Sequence, residues 1–159
     1  MTNPSYTNHV AKIVKAAQVA SLLALLSACN AQPLDPEKSS GAGATAPSLL
    51  CDTTTNCVNS LGRGEFAPLV YQGTPEQGIA RLRRTLELFP EAQVVQSGPA
   101  WLTVIFTTTL GFRDEVVFVV TAPGEPIAYR SKSLVGLYDF GKNASRMREF
   151  AARFESLKD

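Results

Sequence analysis

The sequence predicts an α+β domain in which an antiparallel four-stranded sheet carries two helices packed on one face. Three observations in the C-terminal two thirds lead there. An amphipathic stripe opens at a capping signal, and four runs rich in Val, Ile, Thr and aromatics follow, joined in pairs by Gly-Pro turns. A second amphipathic stripe then closes the chain. Helix, four strands, helix is not the alternation that builds a parallel sheet, so an antiparallel one is expected.

What precedes that domain reads as an address. Residues 1–15 are polar and carry Lys12 and Lys15, residues 16–26 are apolar, and Leu26-Ser27-Ala28-Cys29 follows. The layout is that of an export signal. The tetrapeptide resembles a bacterial lipobox, which implies a signal peptide over 1–28 and a diacylglycerol anchor, with palmitate among its acyl chains, on Cys29. The expected product is a lipoprotein anchored to the cell membrane. Asn30 replaces the aspartate that favours inner-membrane retention, so in a host with two membranes the outer membrane, facing the periplasm, is the expected address. No apolar run reaches the roughly 20 residues of a spanning helix.

Cleavage before Cys29 removes Lys12, Lys15 and His9, the single histidine of the chain. Lys+Arg falls from 15 to 13 against 14 acids, a net charge of −1 in place of +1. Neither value supplies the basic excess of a nucleic-acid partner. A mature chain without histidine excludes Ser-His-Asp and Cys-His catalysis by its own side chains, and His-ligated metal sites with them. No cofactor and no metal are expected. Residues 29–50, rich in Gln, Pro, Ser, Gly and Ala, read as a flexible tether spanning on the order of 25 Å. The domain proper is expected over 51–159.

At its start stand Cys51 and Cys57, six apart. In an oxidising compartment such a pair reads as a disulfide closing a small loop, the alternative being two buried thiols. Thr74-Pro75-Glu76-Gln77 then supplies an N-cap, a first-turn proline and a capping-box glutamine. Ile79, Leu82, Leu86 and Phe89 form one stripe, Arg81, Arg83 and Arg84 read as a solvated face, and Pro90 stops the helix. Residues 93–96 and 101–110 pair about Ser97-Gly98-Pro99, and residues 115–121 and 127–133 pair about Pro123-Gly124-Glu125-Pro126. The 101–110 run alternates imperfectly. Part of the second sheet face is therefore expected to be covered by residues 51–71 or by a partner. Gly136 and Gly141 read as turn positions needing positive φ. The last helix follows Gly141, with Asn143 as N-cap and Met147, Phe150, Ala151 and Phe154 buried.

Arg130-Ser131-Lys132-Ser133, then Gly136, then Asp139-Phe140-Gly141-Lys142-Asn143 and Arg146, resembles the most specific stretch of the bacterial and plastid domain of unknown function 1499 family. Asn56-Cys57-Val58-Asn59-Ser60, Phe66-Ala67-Pro68-Leu69 with Tyr71, and Phe112-Arg113-Asp114-Glu115-Val116-Val117-Phe118 are similar to its other blocks. The resemblance covers about residues 51–154. Asn59 stands where that pattern has serine, and Glu115 with Val117 makes the strand less acidic than the pattern. The resemblance implies a domain boundary and an envelope setting, and assigns no activity.

The candidate ligand or structural site consists of Asp114, Arg130, Ser131, Ser133, Asp139, Asn143 and Arg146. A hydrolase reading would use Ser131 or Ser133 with Asp114 or Asp139. Lys132 cannot serve as their base, because successive side chains on a strand point to opposite faces. A binding reading places Arg130 and Lys132 together on one face, near a helix N-terminus carrying Arg146, as an anion site. A structural reading pairs Arg130 and Arg146 with Asp114 and Asp139 to pin the last helix to the sheet. The expected function is a lipid-anchored envelope module that binds or scaffolds. Its expected partners are the membrane, through the anchor, and an envelope protein, lipid or anionic ligand.

Overall fold

The structure, a computed structural model, describes residues 45–62 and 64–157. The expected signal peptide, Cys29 and most of the tether lie outside the described residues. Among the described residues no helix is long and apolar enough to cross a membrane.

The elements run β1 (Cys57–Asn59), α1 (Pro75–Leu86), β2 (Ala92–Gly98), β3 (Trp101–Thr107), β4 (Arg113–Val119), β5 (Ala128–Ser133) and α2 (Lys142–Ser156). The sheet is antiparallel in the order β1-β5-β4-β3-β2. It therefore has five strands, not four. The additional strand is three residues of Cys-Val-Asn, too short to show a period of two. It is held to β5 by its register, Cys57 opposite Lys132 and Asn59 opposite Arg130, and by Ser133 N–H donating to the Asn56 carbonyl at 3.0 Å. Pairing with an existing edge, not propensity, makes it a strand.

Helix α1 starts as its capping signal dictates. Gln77 N–H donates to the Thr74 hydroxyl and Thr74 N–H donates to Gln77 Oε1, which satisfies two of the free amides of the first turn. Leu82 and Leu86 are buried, and Phe89 just beyond the helix joins them. Arg81 departs from the solvated face expected for it. It is buried, donates from Nε and Nη2 to the Phe154 carbonyl, and lies over the Phe154 ring with 4.5 Å to the centroid. A cation at the last turn of α2 offsets the negative end of that helix and joins the two helices.

Both helices cover the face bearing Leu102, Val104, Phe106, Val116, Phe118 and Tyr129. Phe150 of α2 stacks on Phe89 at 5.5 Å and meets Phe118 at 4.8 Å between centroids. A phenylalanine buried to this extent stabilises by about 1.5–3 kcal/mol. On the opposite face Trp101, Thr103, Ile105 and Val117 are buried too. The imperfect alternation of β3 thus marks a strand covered on both sides. Residues 49–52 reach the β1–β5 end of that face, where Asn59 Nδ2 donates to the Leu49 carbonyl at 2.9 Å and Lys132 Nζ pairs with Asp52 at 2.6 Å. The Lys132 ammonium holds the Asp52 carboxyl below the usual carboxylate range.

Candidate functional site

The alternation of β5 decides which side chains can meet. Ser131 and Ser133 face the helices, and Arg130 and Lys132 face away from them. On β4, Asp114 stands opposite Ser133 and Glu115 opposite Lys132. Asp114 thus joins the serines on the helix side, and Glu115 pairs with Arg130 on the other side. Helix α2 delivers Asn143 and Arg146, three residues apart and so on one face.

These groups close on one another. Arg146 Nη2 lies 2.5 Å from Asp114 Oδ2, with both side chains 4% exposed. Ser133 Oγ donates to Asp114 Oδ1 at 2.5 Å. Ser131 Oγ donates to Asn143 Oδ1 at 2.6 Å, and Arg146 Nη1 donates to the same oxygen at 3.1 Å. Asn143 Nδ2 reaches Ser133 Oγ, the Asn56 carbonyl and Asp139 Oδ2 at 3.0, 3.1 and 2.7 Å. The Arg146 guanidinium also lies over the Phe106 ring, 4.9 Å from its centroid. Asn143 is the hub, touching strand, loop and both serines from a fully buried position.

Asn143 is not the N-cap expected of it. The cap is Gly141, in the left-handed region at φ 72°, and the capping oxygens come from Asp139. Asp139 Oδ1 accepts from Gly141 N–H and Oδ2 accepts from Asn143 N–H, each at 2.9 Å. A carboxylate reaching back over the first turn also favours the positive end of the helix. Gly136, at φ 85°, and Gly141 both occupy the left-handed turns expected of them.

Reasoning from sequence left Asn56 out of the site, although it lies in the Asn-Cys-Val block. Its carbonyl accepts from Ser133 and Asn143, and its Nδ2 donates to the Gly136 carbonyl at 2.7 Å. Its neighbour Thr55 donates from Oγ1 to the Leu137 carbonyl at 2.5 Å and accepts from Asp139 N–H at 3.2 Å. Cys51 and Cys57 form a disulfide that closes this turn, with 5.7 Å between Cα atoms. The turn is therefore a clamp beneath residues 136–139.

Beside the network a cleft of about 550 Å³ opens between residues 108–112 and 134–142. Asp114, Ser133 and Asp139 reach its floor, and Leu110, Phe112, Tyr138 and Phe140 form its lip. The seven candidate residues separate accordingly. Asp114, Ser131, Ser133, Asp139, Asn143 and Arg146 come together, and Arg130 lies on the opposite sheet face. Arg130 and Lys132 do not converge with Arg146, so the anion constellation is split by the sheet. The serine hydroxyls are engaged within the network, and the carboxylate nearest Ser133 is held by an arginine. Among the described residues no three His, Cys, Asp or Glu side chains gather as metal ligands would.

Comparison with known proteins finds that residues 49–154 match the model of a family described as "Protein of unknown function (DUF1499)". No curated protein matches the chain.

Proposed function

The chain belongs to this family of unknown function, and from that premise we propose that it is a lipid-anchored cell-envelope protein whose domain binds or scaffolds another envelope component without catalysis. In a host with two membranes its place is the outer membrane, facing the periplasm. The observation that carries the reading is the closure of the polar network. Asp114, Ser131, Ser133, Asp139, Asn143 and Arg146 spend their hydrogen bonds on one another and on the backbone. A nucleophile needs a free base and an open approach. Here Ser131 is fully buried and Ser133 is 8% exposed. The group available to an incoming partner is the pair of loops around the cleft, held from below by that network and by the disulfide-closed turn.

The anchor rests on Leu26-Ser27-Ala28-Cys29 and is tested in the native host. Labelled fatty acid incorporated into the wild type and absent from Cys29→Ala supports it, and equal incorporation removes it. Binding against hydrolysis is tested with a fluorophosphonate probe. No labelling is expected, and labelling abolished by Ser133→Ala or Ser131→Ala would replace this reading by a hydrolase.

A further inference from the structure

Among the described residues the most exposed large apolar side chains gather on the two loops that flank the cleft. Leu110 is 82% exposed, Leu137 85% and Phe140 89%, with Phe112, Val135 and Tyr138 also exposed beside them. The loops are joined through Leu134 N–H, which donates to the Arg113 carbonyl at 3.0 Å. Phe140 is the one non-glycine residue with positive φ among the described residues, at 53°. A bulky side chain rarely occupies that region, and glycine or asparagine would hold the same turn with less strain. The fold gains little burial from phenylalanine here, because the residue is 89% exposed and its ring stands edge-to-face with the exposed Tyr138, 5.0 Å between centroids. Strain maintained on an exposed aromatic points to an external contact.

Two exposed cations stand at this tip, and the exposed acid Glu91 adjoins it at the start of the 108–112 loop, where its carbonyl accepts from Thr107 N–H. Arg113 and Lys142, both exposed, flank the apolar side chains. The one acid within the 134–142 loop, Asp139, turns its oxygens inward to Gly141 and Asn143. Apolar and aromatic side chains with Arg113 and Lys142 beside them are complementary to a bilayer interface, where tails receive the former and anionic headgroups the latter. Leu110 and Phe140 border the cleft, yet more than four fifths of each stands outside it in solvent, which favours a fluid surface over a shaped protein partner.

We infer that the 108–112 and 134–142 loops form a membrane-insertion tip that dips into the interface of an anionic bilayer. The inference rests on reading these loops as the contact surface and names the partner as lipid. It does not require acylation of Cys29. Such a tip, acting with the anchor, would fix the orientation of the domain on the membrane.

The test uses the full-length chain carrying Phe140→Trp, mixed with phosphatidylcholine–phosphatidylglycerol vesicles whose acyl chains are brominated near the headgroup. The signal of buried Trp101 is taken from the unsubstituted chain and subtracted. The expected result is a blue shift and bromine quenching of the introduced indole. Val70→Trp, an exposed position next to the Leu69–Ile127 bridge at the far end of β5, should show neither. Adding Leu137→Asp to Phe140→Trp should reduce quenching at limiting lipid by about tenfold. Unquenched emission from Phe140→Trp on vesicles with which the chain co-sediments overturns the inference and leaves the anchor standing. Equal quenching at Val70→Trp overturns it as well. So does a blue shift that needs no lipid and grows with protein concentration, which would place a second copy on the tip.

Discussion

Replacing Arg146 by methionine tests the network where it is most sensitive. Methionine keeps an unbranched apolar stem over Phe106 and removes the charge, so packing changes little. What it leaves behind is the Asp114 carboxylate, 3% exposed, with the Ser133 hydroxyl as its remaining partner in the network. It also removes the donor that Arg146 Nη1 gives to Asn143 Oδ1. Breaking a buried ion pair from one side typically destabilises by about 3–5 kcal/mol, because the surviving charge is stranded away from water. In a domain of this size each kcal/mol lowers the thermal midpoint by about 4–8 °C. Arg146→Met should therefore melt at least about 12 °C below the wild type, with a matching fall in the urea midpoint. The double variant Asp114→Leu/Arg146→Met strands no charge, although Ser133 and Asn143 each lose a partner at about 1 kcal/mol. It should recover roughly 2 kcal/mol relative to Arg146→Met. A single substitution costing under about 1 kcal/mol, or a double variant equal to the sum of the two singles, would refute the view that this pair pins α2 to the sheet.

Three further outcomes follow from the same contacts. Opening the disulfide with Cys51→Ala/Cys57→Ala, which joins residues six apart, should lower stability by about 2 kcal/mol through the lost loop constraint. It should also speed amide exchange at Asp139, whose N–H is held by Thr55. Tyr129, 2% exposed, has its hydroxyl pushed up to about 12 by burial. The unfolded chain deprotonates first, near pH 10, so this stability is present below that pH and is lost as pH climbs toward 12, by roughly 3 kcal/mol at most. Urea midpoints at pH 9 and 12 should fall less in Tyr129→Phe, with a residue of the decline left by Tyr71, which burial also raises. Finally, Thr103 is 3% exposed and its Oγ1 lacks a hydrogen-bond partner. Thr103→Val removes a stranded hydroxyl at equal shape and should raise stability by about 1 kcal/mol in urea unfolding.

How far each part of the site could be foreseen follows from how local its cause is. The capping box of α1, the glycine turns at 136 and 141, and the division of β5 into a serine face and a cation face need only neighbours within four residues. They were legible for that reason. The strand at Cys57–Asn59 was not, because three residues carry no period and become a strand through pairing with β5. Arg81 was misplaced on a solvated face because its partner is a carbonyl 73 residues away. The cap of α2 was assigned to Asn143 because asparagine favours that position. The αL turn at Gly141 moved the capping oxygen back to Asp139 and released Asn143 to become the hub of the network.

By itself, then, the order of residues determined the types of the two helices and of four of the five strands, and which side chains of β5 share a face; the export-and-anchor reading of residues 1–29 also comes from the sequence alone and stands as a proposal. These depend on short periods and short motifs. Only the tertiary structure decided that Arg130 and Arg146 fall on opposite sides of the sheet, that the Asn56 carbonyl joins Ser133 to α2, and that Leu110 and Phe140 border one cleft. Those outcomes depend on strand order and register, which bring together residues far apart in the chain and leave no mark on any local pattern.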